Sequence, residues 1–491
     1  MAVEISTTVP NLSQRVAKNT LIMFLGQALS LLANLGVTVL LARHLSKSGF
    51  GIFSYALVFV GFFAVLAEFG MKPILVREIS RQPERTGIIL GNTILIKLAL
   101  ILLAITFAVA GSFLFHFSSE LRMVIWILTG NIFISSKLYT FRIIFESIFH
   151  VQLRMVMPVI WQTIDALVLV FATSLLIWVK APLAAIVAAY VLCNLPGFIL
   201  TLWGTWKIVR PRFILDKELC RMLLRESTPL FFSAGLMVFY DRFDVILLEA
   251  MKGHDSVGLY AAAFRLVSPL SVIPLAVVSS LYPLMSKYGI ASAEKLKKTF
   301  TSGMKILFVI GLPFALGATF FHEKIFYVLY TPVFQPAAEA FGVLMWAQAF
   351  VFLNYFLADF NTAIGRQRVN FWAALLMCTT NLGLNAILIP RWDTLGASSA
   401  KLATNILGFG FLFWYSSRHV SSALVLTAPR LLSVAAVFGA WLLVVRDMNF
   451  VVVLISSAAI YAVLLLLFGV FDADERQLFD PFLRRFKSNH S

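Results

Sequence analysis

One feature constrains this chain more than any other: runs of about twenty apolar residues, rich in Leu, Ala and Phe, follow one another along almost its whole length. A helix rises 1.5 Å per residue, so each run is long enough to cross the hydrocarbon of a bilayer. Only 13% of the 491 residues are charged and 60% are hydrophobic, against about 25% charge in a soluble protein. In lipid the backbone must satisfy its own hydrogen bonds, which leaves helices or a closed barrel. The runs are continuous rather than alternating, so the chain reads as an all-α membrane protein of about 14 transmembrane helices.

Loop charge sets the expected orientation. With the N-terminus in the cytoplasm, most of the 40 Lys and Arg fall on cytoplasmic connections, as the positive-inside rule requires. That reading puts both termini inside the cell membrane. The most basic connection lies between the sixth and seventh spans. The expected organisation is a six-helix lobe at 1–206, a basic cytoplasmic linker at 207–226, a second six-helix lobe at 227–416, two extra helices at 417–471 and a cytoplasmic tail at 472–491. A weak repeat supports two related halves: Gly51 aligns with Gly258, Phe53 with Tyr260 and Ser54 with Ala261. Gly49 and Gly51 are expected to allow a tight turn between helices.

Several function classes are excluded. The net charge of +16 is spread over loops, which argues against nucleic acid. The opening residues are polar and the first apolar run is already of membrane length, so no cleavable signal is expected. Cys193, Cys220 and Cys378 are widely spaced and offer neither a disulfide framework nor a metal motif. The histidines show no paired spacing. No phosphate-cradling Gly-rich loop occurs, so no cofactor, metal or catalytic group is expected. The outer connections are too short to hold the acceptor and catalytic groups of a glycan polymerase or ligase.

Six cations lie within the apolar spans: Lys97, Lys137, Arg242, Arg265, Lys305 and Lys401. Lys305 begins a span and is expected to snorkel. A charge at membrane depth costs about 2.5–3.5 kcal/mol on insertion scales, so the others need water, a partner or each other. Two readings stand. Asp165, Asp241, Asp244 and Glu249 could neutralise them as ion pairs between helices, or they could line a water-filled cavity that attracts an anion. Polar stripes accompany them: Asn19, Gln27, Ser30 and Asn34 on the first span, Asn381 and Asn385 on the eleventh, and Ser398, Lys401 and Asn405 on the twelfth. Such faces are expected to point toward protein or water. Asp241 and Asp244 share a helix face and are candidates for a coupling cation, Na⁺ or H⁺. The membrane potential is the alternative energy source. Pro269, Pro274, Pro283 and Pro313 are expected to kink the eighth and ninth spans.

Three segments carry a family resemblance: Ala42 to Arg81, Val257 to Pro269 leading to the Leu281–Tyr288 stretch, and Ala363 to Thr404 with its paired Asn and its Ile-Pro exit. In these the chain resembles the polysaccharide (O-antigen type) flippases of the multidrug/oligosaccharidyl-lipid/polysaccharide exporter superfamily. The resemblance implies two six-helix lobes around a central cavity, with two C-terminal helices besides. It implies a polyprenyl-diphosphate-linked oligosaccharide as substrate, moved from the cytoplasmic to the outer leaflet for surface polysaccharide synthesis. Membrane lipid, a polysaccharide polymerase and glycosyltransferases are the implied partners. By motif position Arg265 looks like a substrate-binding cation. Lys97, Lys137, Arg242 and Lys401, with polar Asn34, Gln27, Asn381 and Asn385, rest on the charge argument alone. A drug or cation antiporter of the same superfamily is the alternative, but it would want unpaired acids rather than an excess of cations.

Overall fold

A computed structural model describes residues 12–115, 117–135, 138, 140–152, 154–420 and 424–471. Among these every regular element is helical. The first compact unit runs to Gly258 and the second starts at Leu259.

The helices of the first unit are α1 (Leu12–His44), α2 (Lys47–Glu68), α3 (Met71–Arg81), α4 (Thr86–Leu114), α5 (Ser119–Ile134), α6 (Arg142–Val151), α7 (Val156–Trp178), α8 (Leu183–Leu192), α9 (Leu195–Ile208) and α10 (Lys217–Lys252), followed by the first turn of α11 (His254–Val267). The rest of α11 belongs to the second unit. So do α12 (Val272–Ala291), α13 (Ala293–Leu329), α14 (Ala337–Ala363), α15 (Arg368–Ser417), α16 (Leu424–Val444) and α17 (Phe450–Leu467). Nine of the described helices, or helices joined end to end, are long and apolar enough to cross a membrane, and α15 is one of them. It is two arms joined at Asp393, whose φ of 52° and ψ of −127° are not helical. Gly396 packs against the Leu388 carbonyl and Gly408 against Met377, so the arms run antiparallel. The expected eleventh and twelfth spans are these arms.

α2 is the central helix of the first unit, packed by α4, α5 and α10. Phe50, Phe53, Phe59 and Val60 are all nearly inaccessible. Ser46 caps it by accepting the Gly49 N–H at 3.1 Å. The turn between α1 and α2 is therefore Leu45–Ser46, and Gly49 and Gly51 lie inside α2, contrary to the expected Gly-rich turn. Gly51 has another use. A β-carbon there would collide with the His254 carbonyl, and one at Gly258 would collide with the Lys47 carbonyl. The glycines that align in the repeat thus meet where the starts of α2 and α11 cross, beside a Lys47–Asp255 ion pair of 2.8 Å.

The connection expected at 207–226 is extended only between α9 and α10, and its second half is helical. The extended part is laid on α4. Arg212 N–H donates to the Gly87 carbonyl (2.8 Å), and Asn92 Nδ2 donates to the Ile214 carbonyl (2.8 Å). Asn92 Oδ1 in turn accepts the Asp216 N–H (3.0 Å). Asp216 caps α10 by accepting the Leu219 N–H. That hydrogen bond, helped by Arg85, holds its carboxyl below the usual range.

In the second unit α14 holds the centre, between α13 and α15. Phe300, Leu307, Phe352, Phe356 and Phe360 form its core with Met285 of α12. α16 and α17 dock on α13 through Val309, Val434, Phe438 and Tyr461, and the Tyr461 hydroxyl donates to the Val309 carbonyl (2.8 Å). A 3₁₀ turn at Ser268–Ser271 separates α11 from α12, the interruption expected at Pro269.

Gly51→Ala is expected to destabilise the protein by about 1–3 kcal/mol through overpacking. Gly36→Ala, with open space around it, is expected to be neutral or better. Thermal unfolding of the two variants in detergent checks the contrast.

Candidate functional site

The expected site residues divide between the units. Gln27, Asn34, Lys97, Asp241, Arg242 and Asp244 lie in the first, and Arg265, Asn381, Asn385 and Lys401 in the second. Lys137 lies outside the described residues.

In the first unit Lys97 is fully buried. Its ammonium donates to the carbonyls of Ala67 (2.8 Å) and Glu68 (2.5 Å), at the carboxyl end of α2. Phe69 and Gly70 turn left-handed there. The last carbonyls of a helix have no partner within it and carry its negative dipole end; Lys97 supplies the donor. Arg242 pairs with its neighbour Asp241 at 3.0 Å, and both are partly exposed. Asp244 is buried and accepts the Val245 N–H (2.9 Å). Gln27 is exposed, and Asn34 donates to the Ser30 carbonyl one turn back (2.6 Å).

The most buried ionic cluster is one that the sequence reading left aside. Arg142 has no exposed surface. It pairs with Asp165 of α7 at 2.5 Å and with Glu146 one turn along α6 at 3.0 Å. Asp165 also accepts the Gly197 N–H (2.6 Å) at the start of α9, so a helix N-terminus adds to its stabilisation. A β-carbon on Gly197 would overlap that carboxylate. The fourth span, expected at 124–145, breaks between α5 and α6. The signals were present in the i, i+4 spacing of Arg142 and Glu146 and in Asp165, a lone acid in an apolar run. Their meeting across three helices was not. Lys305, expected to snorkel, is instead 1% exposed.

In the second unit Lys401 is buried, with its ammonium 5.0 Å from the centre of the Phe264 ring. Arg265, the next residue after Phe264, is half-buried. Asn405 Nδ2 donates to the Lys401 carbonyl (2.8 Å), and Asn354 of α14 donates to the Asn405 carbonyl (3.1 Å). Asn385 Nδ2 donates to the Asn381 side chain (2.9 Å). The antiparallel arms of α15 put this Asn pair level with the turns that carry Lys401 and Asn405. Lys401 is thus packed against an aromatic ring of α11, and the amides of α14 and α15 bond to one another and to backbone carbonyls. Among the described residues no cluster of His, Cys, Asp and Glu could hold a metal ion.

A family model described as "Polysaccharide biosynthesis protein" matches residues 16–289, more than half of the chain. The chain belongs to this family. A second model, MatE, matches residues 229–387 of this polysaccharide biosynthesis family member. It is 21% identical over 435 residues to the "Putative O-antigen transporter" of Shigella flexneri, covering 83% of this chain and 99% of that one. It is 22% identical to the "Probable low-salt glycan biosynthesis flippase Agl15" of Haloferax volcanii, over 74% of this chain and 76% of that one. Its fold is that of a solved structure of the lipid II flippase MurJ in an inward closed conformation, with a TM-score of 0.73 at 14% identity over 94% of this chain and 100% of the other.

Two outcomes are expected from these contacts. Asp165→Ala takes one of two carboxylates from a buried guanidinium and should cost about 3–5 kcal/mol, whereas removing the whole cluster with Arg142→Met, Glu146→Gln and Asp165→Leu should recover much of that. Lys97→Met should cost about 1–3 kcal/mol by leaving the α2 carbonyls without a donor. Denaturant unfolding in detergent micelles measures both.

Proposed function

We propose that the chain is a flippase that carries a polyprenyl-diphosphate-linked oligosaccharide from the cytoplasmic to the outer leaflet of the cell membrane, for surface polysaccharide synthesis. A sugar diphosphate cannot cross hydrocarbon unaided, because its hydroxyls and charges would lose their hydrogen bonds. A protein of two related halves can offer a polar path and rock one half against the other. The observation that carries the reading is the contact of Lys401 with Phe264, the sequence neighbour of Arg265, in the second unit, in a chain similar over 99% of one relative named as an O-antigen transporter and 76% of one named as a glycan biosynthesis flippase. In this scheme Arg265 and Lys401 attract the diphosphate while Asn381 and Asn385 add polar contacts for sugar. Asp241 and Asp244 are the coupling-ion candidates. A polysaccharide polymerase and glycosyltransferases are the partners this function calls for, and both termini lie in the cytoplasm.

The MatE match keeps a drug or cation antiporter as the rival. Such a protein needs available acids in its path. Here the buried Asp165 is neutralised by Arg142, while Lys401 and Arg265 lie in the second unit, which favours an anionic substrate.

Arg265→Ala is expected to abolish surface glycan and accumulate lipid-linked oligosaccharide on the inner leaflet, with normal amounts of protein in the membrane. Arg265→Lys should restore part of the export. Normal glycan in Arg265→Ala would remove this residue from the mechanism. Orientation is checked by labelling single cysteines on a background lacking the three native ones. Ser46→Cys should react from outside and Glu218→Cys only after permeabilisation; both positions are exposed.

A further inference from the structure

A cavity of about 980 Å³ opens in the first unit beside the break between α5 and α6. The transport reading makes no use of it. Its floor is aromatic: the rings of Phe133 and Phe141 stack at 4.6 Å, with Phe145 5.3 Å from Phe141 and Phe198 5.8 Å from Phe133. Its mouth is cationic, formed by Lys207 at the end of α9 and Arg210 in the extended linker. The Lys207 ammonium lies over the Trp203 ring, 3.4 Å from its centre, so a cation–π contact holds it there.

The surroundings say which phase the mouth faces. Trp203 and Trp206 are about half exposed, and Phe213, Ile214 and Leu215 expose about 60% of their surface in a row. Water would penalise so much bared apolar surface. Indole rings and apolar segments flanked by arginines belong at the level of the lipid headgroups. The cavity therefore joins a hydrocarbon-compatible floor to a cationic rim at the membrane interface.

We propose that it binds one anionic phospholipid of the surrounding leaflet, with its phosphate between Lys207 and Arg210 and acyl chain on the phenylalanine floor. A soluble phosphate would leave the floor wet, and a neutral hydrocarbon would leave both cations unanswered. The leaflet itself is the source, since the mouth opens where phospholipid is abundant. Bound there, the lipid fastens the linker to α4 and α9 and makes the docking of α10 sensitive to membrane composition.

Native mass spectrometry of the full chain in mild detergent tests this, with phosphatidylglycerol and phosphatidylcholine of identical acyl chains as probes. The wild type is expected to retain one phosphatidylglycerol in preference to phosphatidylcholine. At about 1 kcal/mol per basic residue near a charged surface, Lys207→Gln with Arg210→Gln should reduce that preference about thirtyfold. Leu202→Trp, which fills the cavity, should displace both lipids. Thermal unfolding of each variant reports whether it is folded, and if Leu202→Trp is not, the charge variant decides. Equal retention of the two lipids, or phosphatidylglycerol binding untouched by the charge variant, overturns the proposal. So does displacement of phosphatidylglycerol by stoichiometric undecaprenyl diphosphate, which would make the cavity a substrate site. These readouts need no transport, so they stand apart from the fate of the flippase reading.

Discussion

Hydrocarbon offers no hydrogen bonds, and most of what distinguishes this structure follows from that one fact. A helix in lipid satisfies its interior backbone but leaves its ends open. The end of α2 is closed from within by Lys97, whose ammonium takes the Ala67 and Glu68 carbonyls. A buried lysine would be ruinous on its own. Set against a helix carboxyl end, the lysine and the carbonyls each supply what the other lacks. Arg142 solves the same problem with carboxylates, since Asp165 and Glu146 surround it and Gly197 adds a backbone donor to Asp165. Such clusters add little net stability over apolar packing, but losing one member is costly. They fix which helices may neighbour which.

Close approach is the second consequence. Lipid-facing helices gain little from burying apolar surface, so association depends on contact and on small residues that let backbones come near. Gly51 and Gly258 do this where α2 meets α11, and Gly197 does it against Asp165. Gly91 admits the Arg212 carbonyl in the same way, where the linker crosses α4. The linker is thereby a docked strap, tied by Asn92 on both sides of its path.

The two units put their charges to different use. In the first, Lys97 and Arg142 are consumed by the fold. In the second, Lys401 lies over the Phe264 ring, next in sequence to Arg265, and Asn405 donates to the Lys401 carbonyl. The proposed transport path draws on this second group. The aromatic cavity of the first unit, lined also by Lys207 and Arg210, is the proposed seat of an amphiphile that never needs to cross.

The helical class, the length of the apolar passages, the kink at Pro269 and the two related glycines were all legible in the sequence. Each depends on residues near one another in the chain, and a backbone in lipid has almost no alternative to helix. The presence of charges at membrane depth was legible too, because their cost does not depend on where they point. Their roles were not. The Lys97 reading turned on carbonyls 29 and 30 residues earlier, and that of Arg142 on an acid 23 residues later on another helix. Helical periodicity gives the face a residue occupies, but not the neighbour that face will meet. Only the packing of α2 on α4, and of α6 on α7 and α9, decided that two cations are structural, that the fourth passage breaks, and that the repeat's glycines touch.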